Sequence, residues 1–258
     1  MRQYALITGA TSGIGRELTY EFAKNQHDIV IVGRNEDKLQ ALEHELLSKY
    51  NVDVKSIRVD LLEKNAVEQI KEQLRKWKIV ISFLVNNAGF NEVGEFAKTD
   101  IAKELDMIQL HIVFTTELTK LLLIEMQERK YGKILNICST GSYIPCPYNV
   151  VYAATKSYLL SFSKALDIEL KGSGITVTAI SPGAVKTSFA EKANLEEALL
   201  FKIGVMEAKK VAQVAYRDLM KGKSTHIIGL YNKLLVIFTK ILPKKVVQMA
   251  SKKMMNVE

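Results

Sequence analysis

Seven short runs set the limits on what this chain can fold into: YALITGA (4–10), DIVIVGR (28–34), VKSIRVD (54–60), IVISFLVNNAG (79–89), GKILNICS (132–139), GITVTAISPG (174–183) and STHIIGL (224–230). Each is rich in β-branched residues and almost continuously apolar, as a strand buried on both faces is. Between them lie stretches of helical period at 14–25, 35–50, 63–76, 100–129 and 150–170, with Leu39, Leu42 and Leu46 on one face of the second. Strand then helix, repeated, predicts βαβ units and an α/β doubly wound parallel sheet with helices on both faces. At 258 residues and 48% hydrophobic, the chain suits one well-filled domain, 1–258, better than two small ones.

Charge separates the tail from the rest. The formal net charge is +8, yet twelve Lys and Arg against three Asp and Glu lie after residue 200, so the whole excess sits there. That asymmetry argues against a nucleic-acid-binding body. No run reaches the ~18 apolar residues of a membrane span, and MRQYALITGA lacks the pattern of a signal peptide. A cytoplasmic location is the default expectation. Cys138 and Cys146 match no metal-ligand spacing and read as small packing residues, and no metal is expected.

TGATSGIG (8–15) follows the first strand and opens the first helix. Glycines there let backbone N–H groups and the helix dipole approach a phosphate, so a diphosphate is the expected guest. The GxxxGxG spacing of Gly9, Gly13 and Gly15 is neither GxGxxG nor a P-loop. An acid at the tip of the second strand would take the adenosine ribose 2′-OH and select NAD. Here the tip is Gly33-Arg34-Asn35, and Arg34 predicts NADP(H) over NAD(H). Glu36 reads as compensation for the dipole of the next helix.

With NNAG (86–89), Ser139, YAATK (152–156) and SPGAVKT (181–187) added to that loop, about the first 190 residues resemble the short-chain dehydrogenase/reductase family. Within it, the resemblance is to bacterial oxidoreductases with a basic C-terminal extension and, more distantly, to membrane-associated 3-oxoacyl-CoA and hydroxysteroid reductases. The resemblance implies a Rossmann-type sheet of about seven strands, a nicotinamide cofactor and hydride transfer at a carbonyl or alcohol carbon. It implies that Gly9, Thr11, Ser12, Gly13, Ile14 and Gly15 hold the diphosphate. Asp60 would meet the adenine, and Asn87, Ala88 and Gly89 would support the adenosine ribose and the central sheet. Pro182, Gly183, Val185 and Thr187 would lie along the nicotinamide, and Ser139, Tyr152 and Lys156 would be the catalytic serine, tyrosine and lysine.

The chemistry suits those residue types. Hydride arriving at a carbonyl carbon leaves charge on the oxygen, so an acid must supply a proton in step. Tyrosine's ordinary pKa is about 10, too high to serve both directions near neutrality without a cation to stabilise the phenolate. Lys156 is at i+4 from Tyr152, one helical turn away, and lysine can also donate to the nicotinamide ribose. Ser139 would orient the substrate oxygen. The family's pattern has an asparagine in the helix before strand five that helps hold a water in the proton relay, but this chain has His111 there. Three readings stay open for it: a water contact or relay, a weakened relay, and a satisfied core histidine.

The expected substrate is a small hydrophobic carbonyl or alcohol compound: 3-oxoacyl, steroid-like, aromatic ketone or aldehyde. Tyr143, Ile144, Pro145, Cys146, Tyr148, Phe90, Phe96, Phe189 and Phe201 are the expected lining, with Tyr148 facing substrate and Tyr158 as packing. Residues 188–203 are read as a lid. The basic, apolar extension at 230–258 reads either as an amphipathic helix on anionic membrane or a partner subunit, or as an ordinary packed helix. The resemblance suggests a homodimer or homotetramer through 100–129 and 150–170. A competing function is a catalytically weak NADP-binding scaffold or redox sensor, for which His111 is the one feature in favour.

Overall fold

The computed structural model describes residues 3–187 and 204–255. Seven parallel strands form one sheet in the order β3-β2-β1-β4-β5-β6-β9. They are β1 (Tyr4–Thr8), β2 (Asp28–Gly33), β3 (Val54–Arg58), β4 (Ile81–Asn86), β5 (Gly132–Ile137), β6 (Ile175–Ser181) and β9 (Thr225–Ile227). All seven coincide with the seven apolar runs. Alternate residues of each strand feed opposite cores: Ile29 and Ile31 join Phe22, Leu39 and Phe83 on one face. Val30 and Val32 join Ile70, Leu84 and Leu118 on the other.

Helices α1 (Gly13–Lys24) and α2 (Glu36–Lys49) cover the first face together with a helix that the sequence reading did not mark, α7 (Ala208–Met220). The second face carries α3 (Ala66–Trp77), α5 (Thr115–Arg129) and the end of α6 (Val150–Glu169), with α4 (Ile101–Ile108) packed against α6. The predicted single helix at 100–129 is interrupted by a π-helical turn, Gln109–Phe114, that contains His111. Such turns are frequent at functional sites. A second small sheet pairs β7 (Val185–Lys186) with β8 (Met206–Glu207). Two C-terminal helices, α8 (Leu230–Ile241) and α9 (Lys244–Met255), complete the described chain.

Strand order reverses between β2-β1 and β4-β5, and in open parallel sheets ligands bind beyond the carboxyl ends of the strands at that switch point. The glycine loop leaves β1 there, and Asn87 follows β4.

Candidate active site

The loop after β1 is shaped by backbone close approach. Gly9 has φ +64°, in the left-handed region. A Cβ on Gly15 would lie 2.3 Å from the Gly9 carbonyl oxygen and 2.4 Å from Asn87 Nδ2, so no side chain fits. Asn87 Nδ2 donates to the Thr8 carbonyl at 3.0 Å. Thr8 Oγ1 accepts from the N–H groups of Asn87 and Ala88, each at 3.1 Å, and donates to the Val85 carbonyl. Thr8 therefore ties the ends of β1 and β4 together. No acidic residue sits in the first turn of α1, and the Ser12 side chain does not cap it, which leaves the positive helix end for an anionic guest.

Gly9, Thr11, Ser12, Gly13 and Ile14 line a cleft of about 980 Å3, with Gly15 packed behind them. Arg34 and Asp60 line its far end, joined by Asn35 and Lys38, the latter a basic residue the sequence reading passed over. Arg34 Nη1 stands 3.8 Å from Asp60 Oδ2 with its side chain 68% exposed. Asn87, Ala88, Gly89, Pro182, Gly183, Val185 and Thr187 line the wall between that end and the catalytic group. The cradle and its charge suit a dinucleotide diphosphate.

Ser139, Tyr152 and Lys156 come together on the opposite wall. Ser139 lies two residues past β5 and caps a 3₁₀ turn, Thr140–Ser142: its Oγ accepts the Gly141 N–H at 3.1 Å, and its side chain also hydrogen-bonds Tyr152. Ser142 Oγ donates to the Lys156 carbonyl at 2.9 Å, fixing this turn to α6. Lys156 Nζ donates to the Ile137 carbonyl at 2.9 Å and lies 5.7 Å from the centre of the Tyr152 ring. Burial holds the Tyr152 phenol above its ordinary pKa, partly opposed by the Ser139 hydrogen bond. Burial also pushes the Lys156 ammonium down to about 8.

His111 is 1% exposed and bonded at both ring nitrogens. Nε2 accepts from the Phe90 N–H at 3.3 Å, and Nδ1 lies 2.9 Å from Thr155 Oγ1. The Thr155 hydroxyl donates its proton to the Tyr152 carbonyl at 2.8 Å, so this network assigns the hydrogen to His111 Nδ1. Burial, then the nearby Lys156 charge, hold the imidazole well below its ordinary pKa. A neutral ring saturated at both nitrogens is a clamp between the loop after β4 and α6. One of its two partners, the Phe90 backbone N–H, is not a group that passes a proton on.

The substrate side differs from expectation. Phe90, Ile144, Pro145 and Cys146 line the cleft, and burial raises the Cys146 thiol to about 11. Tyr148 does not line it: the residue has φ +62°, and its carbonyl accepts the Gly94 N–H at 2.8 Å in a turn outside the cleft. Tyr143 packs beside Leu159 and Leu160, and Phe96 is 59% exposed. Tyr158, read as packing, pairs its hydroxyl with Thr116 on the outer face of α6 and stacks on Phe162. The expected lid at 188–203, with Phe189 and Phe201, lies outside the described residues.

Helices α8 and α9 and the turn between them supply apolar wall, including Leu234, Leu235, Phe238, Leu242 and Val247. They are fixed to the site by Asn232, buried at the start of α8. It donates to the Ile228 carbonyl, and its side chain fills the space where Gly183 has no Cβ. Beneath the site, Asn86 Nδ2 donates to Asn136 Oδ1 at 2.8 Å, and Asn136 donates to Ser163 at 2.7 Å, linking β4, β5 and α6. The signal for this pair was an asparagine inside each of two apolar runs.

Residues 3–198 match the model of the short chain dehydrogenase family. The 17-beta-hydroxysteroid dehydrogenase type 3 of Rattus norvegicus is 32% identical over 196 residues, covering 75% of this chain and 63% of that protein. The very-long-chain 3-oxoacyl-CoA reductase of Homo sapiens is 34% identical over 195 residues, covering 73% and 61%. The chain thus matches about three-fifths of the length of these relatives. Among solved structures, a short-chain dehydrogenase from Sphingobium yanoikuyae in complex with NADPH superposes with a TM-score of 0.83 at 27% identity, covering 99% of this chain and 96% of that one.

Proposed function

The chain belongs to the short-chain dehydrogenase family, and from that premise we propose an NADP(H)-dependent oxidoreductase acting on a hydrophobic carbonyl or alcohol compound. One observation carries the reading: Ser139, Tyr152 and Lys156 share a single cleft with the glycine loop. A nicotinamide held along Pro182, Gly183, Val185 and Thr187 would supply or take the hydride. Tyr152 gives the proton to the substrate oxygen, Ser139 holds that oxygen, and Lys156 steadies the phenolate. His111 is a positioning residue, holding the Phe90 loop against the helix that carries Tyr152. A positioning role for His111 weighs against the scaffold reading, for which that residue was the one feature in favour.

Apolar walls from α8, α9, Ile144 and Phe90 support a substrate with a large hydrophobic part, such as a 3-oxoacyl, steroid-like or aromatic carbonyl compound. Loss of NADPH absorbance across a panel of such compounds tests the activity. Turnover of none by a protein that binds NADPH would reject it.

Arg34 and Lys38 at the adenosine end support NADP(H), as does the NADPH in the similar solved structure. A charge-assisted hydrogen bond is worth ~1.5 to 3 kcal/mol, so Arg34→Asp is expected to cut the ratio of efficiencies, NADP(H) over NAD(H), by about tenfold or more. An unchanged ratio in steady-state kinetics would remove Arg34 from cofactor choice. Exposed Ile101, Leu105, Ile124 and Ile168 on α4, α5 and α6 support a homodimer or homotetramer through those helices.

A further inference from the structure

Resting on the hydrophobic-substrate reading, we propose that α8 and α9 form a docking surface for an anionic lipid bilayer around the mouth of the cleft, so that substrate passes from the bilayer directly to Tyr152. Seven of the twelve residues of helix α8 are apolar, Leu230, Leu234, Leu235, Val236, Ile237, Phe238 and Ile241, and its sides do different things. Asn232 and Val236 are buried against the body of the protein. Leu235 and Phe238 line the cleft. Leu230, Leu234, Ile237 and Ile241, at i, i+4, i+7 and i+11, form a third stripe that points away from the core, with Leu230 and Ile241 74% and 73% exposed. Val246 and Met249 continue it on α9. An apolar stripe of this length on a helix surface is normally covered, by a core, a partner or a membrane. Among the described residues, none buries this stripe.

Charge decides between the two occupants such a face could have. Residues 230–258 carry six lysines, Lys233, Lys240, Lys244, Lys245, Lys252 and Lys253, against Glu258. Paired with a second copy about a two-fold axis, this net-positive segment would meet another of the same charge. An anionic leaflet would attract the same charges while the aliphatic stripe enters the boundary between headgroups and acyl chains. The contact is peripheral: twelve residues of α8 span ~18 Å, short of the ~30 Å hydrocarbon core. The stretch Ile101–Arg129 is long and apolar enough to cross a bilayer, but half of its most apolar window is buried in the fold. The docking surface is thus continuous with the walls of the cleft, because Leu234, Phe238 and Leu242 are both exposed and part of the lining.

The test is co-sedimentation of the full chain with vesicles of phosphatidylcholine alone or mixed with phosphatidylglycerol, at low and high salt. Wild-type protein should sediment with the anionic vesicles and be released by salt. The variant Ile237→Glu/Ile241→Glu, at two positions outside the cleft, should lower that binding by at least about fivefold. It should keep NADPH binding and reduction of a water-soluble ketone, while losing turnover of a carbonyl compound dissolved in the vesicles. Charge reversal by Lys233→Glu/Lys245→Glu, which leaves the apolar stripe intact, should weaken binding in the same sense. Binding indifferent to anionic lipid and to both variants would overturn the proposal. So would a fall in solution mass of either variant by sedimentation velocity, which would assign the face to a second copy. Failure of wild type to reduce any ketone would reject the oxidoreductase reading instead, and vesicle binding would still decide the docking surface.

Discussion

Tyr152→Phe is expected to lower turnover by about a thousandfold, the middle of the range for loss of a positioned general acid, and to leave NADPH binding unchanged. The ring keeps its packing against His111, at 5.9 Å between ring centres, and only the hydroxyl is lost. Burial alone disfavours the phenolate that proton donation must produce. The Ser139 hydrogen bond opposes it, and a charged Lys156 would add to that opposition. At an effective dielectric of ~20, unit charges ~6 Å apart interact by roughly 3 kcal/mol, on the order of two pKa units. That is enough to offset most of a burial cost of similar size, provided Lys156 is charged. Its pKa near 8 therefore sets a limit: it is a cation below that pH and neutral above it. Reductive kcat/KM in wild type should fall as pH rises through about 8, while Tyr152 itself remains protonated. Stopped-flow single turnovers of both proteins, with NADPH fluorescence titration as the binding control, check these points. Near-wild-type turnover in Tyr152→Phe would place the acid elsewhere.

The frame of the fold was legible because its strands are buried on both faces. Ile29, Val30, Ile31 and Val32 are all at 0% exposure, and burial on two sides leaves a continuous apolar run. The glycine loop was legible for a similar reason, since a backbone that admits no Cβ at residue 15 leaves a mark in composition. The role of α8 and α9 was not. An amphipathic pattern shows that a face is apolar and says nothing about which surface meets it. The tail therefore read as membrane contact or packing, and its part in the cleft went unseen. Tyr148 misled because an aromatic near a catalytic tyrosine suggests lining, whereas its direction depends on a left-handed turn at a residue type that rarely adopts one. Asn86 and Asn136 were overlooked because each is polar within an apolar run, and only the parallel register of β4 and β5 sets them side by side.

His111→Leu is expected to lower kcat/KM by about a hundredfold with no change in the shape of the pH profile. The partners of His111, Phe90 and Thr155, lie 21 and 44 residues away in sequence. Leucine has the bulk to fill the site but leaves the Phe90 N–H without its acceptor and Thr155 without its donor. Two hydrogen bonds at ~1 kcal/mol each, plus ~1 to 3 kcal/mol for an unpaired buried donor, come to about 3 to 5 kcal/mol. The loop after β4 relieves that cost by moving. A displacement of ~1 Å between reacting groups can cost on the order of a hundredfold in rate. His111→Asn separates this from a proton relay. Asparagine offers one acceptor and one donor on a shorter arm, so it should recover part of the rate by satisfying one of the two partners. A relay through imidazole requires the ring to gain and lose protons near working pH. Burial and Lys156 instead hold its pKa well below the ordinary imidazole value. Wild type and His111→Asn should therefore share the same alkaline limb, set by Lys156. An additional acid limb present in wild type and absent from both variants would restore the relay. Equal rates in all three proteins would reduce His111 to packing, and the interval between these outcomes is wide enough for steady-state kinetics to resolve.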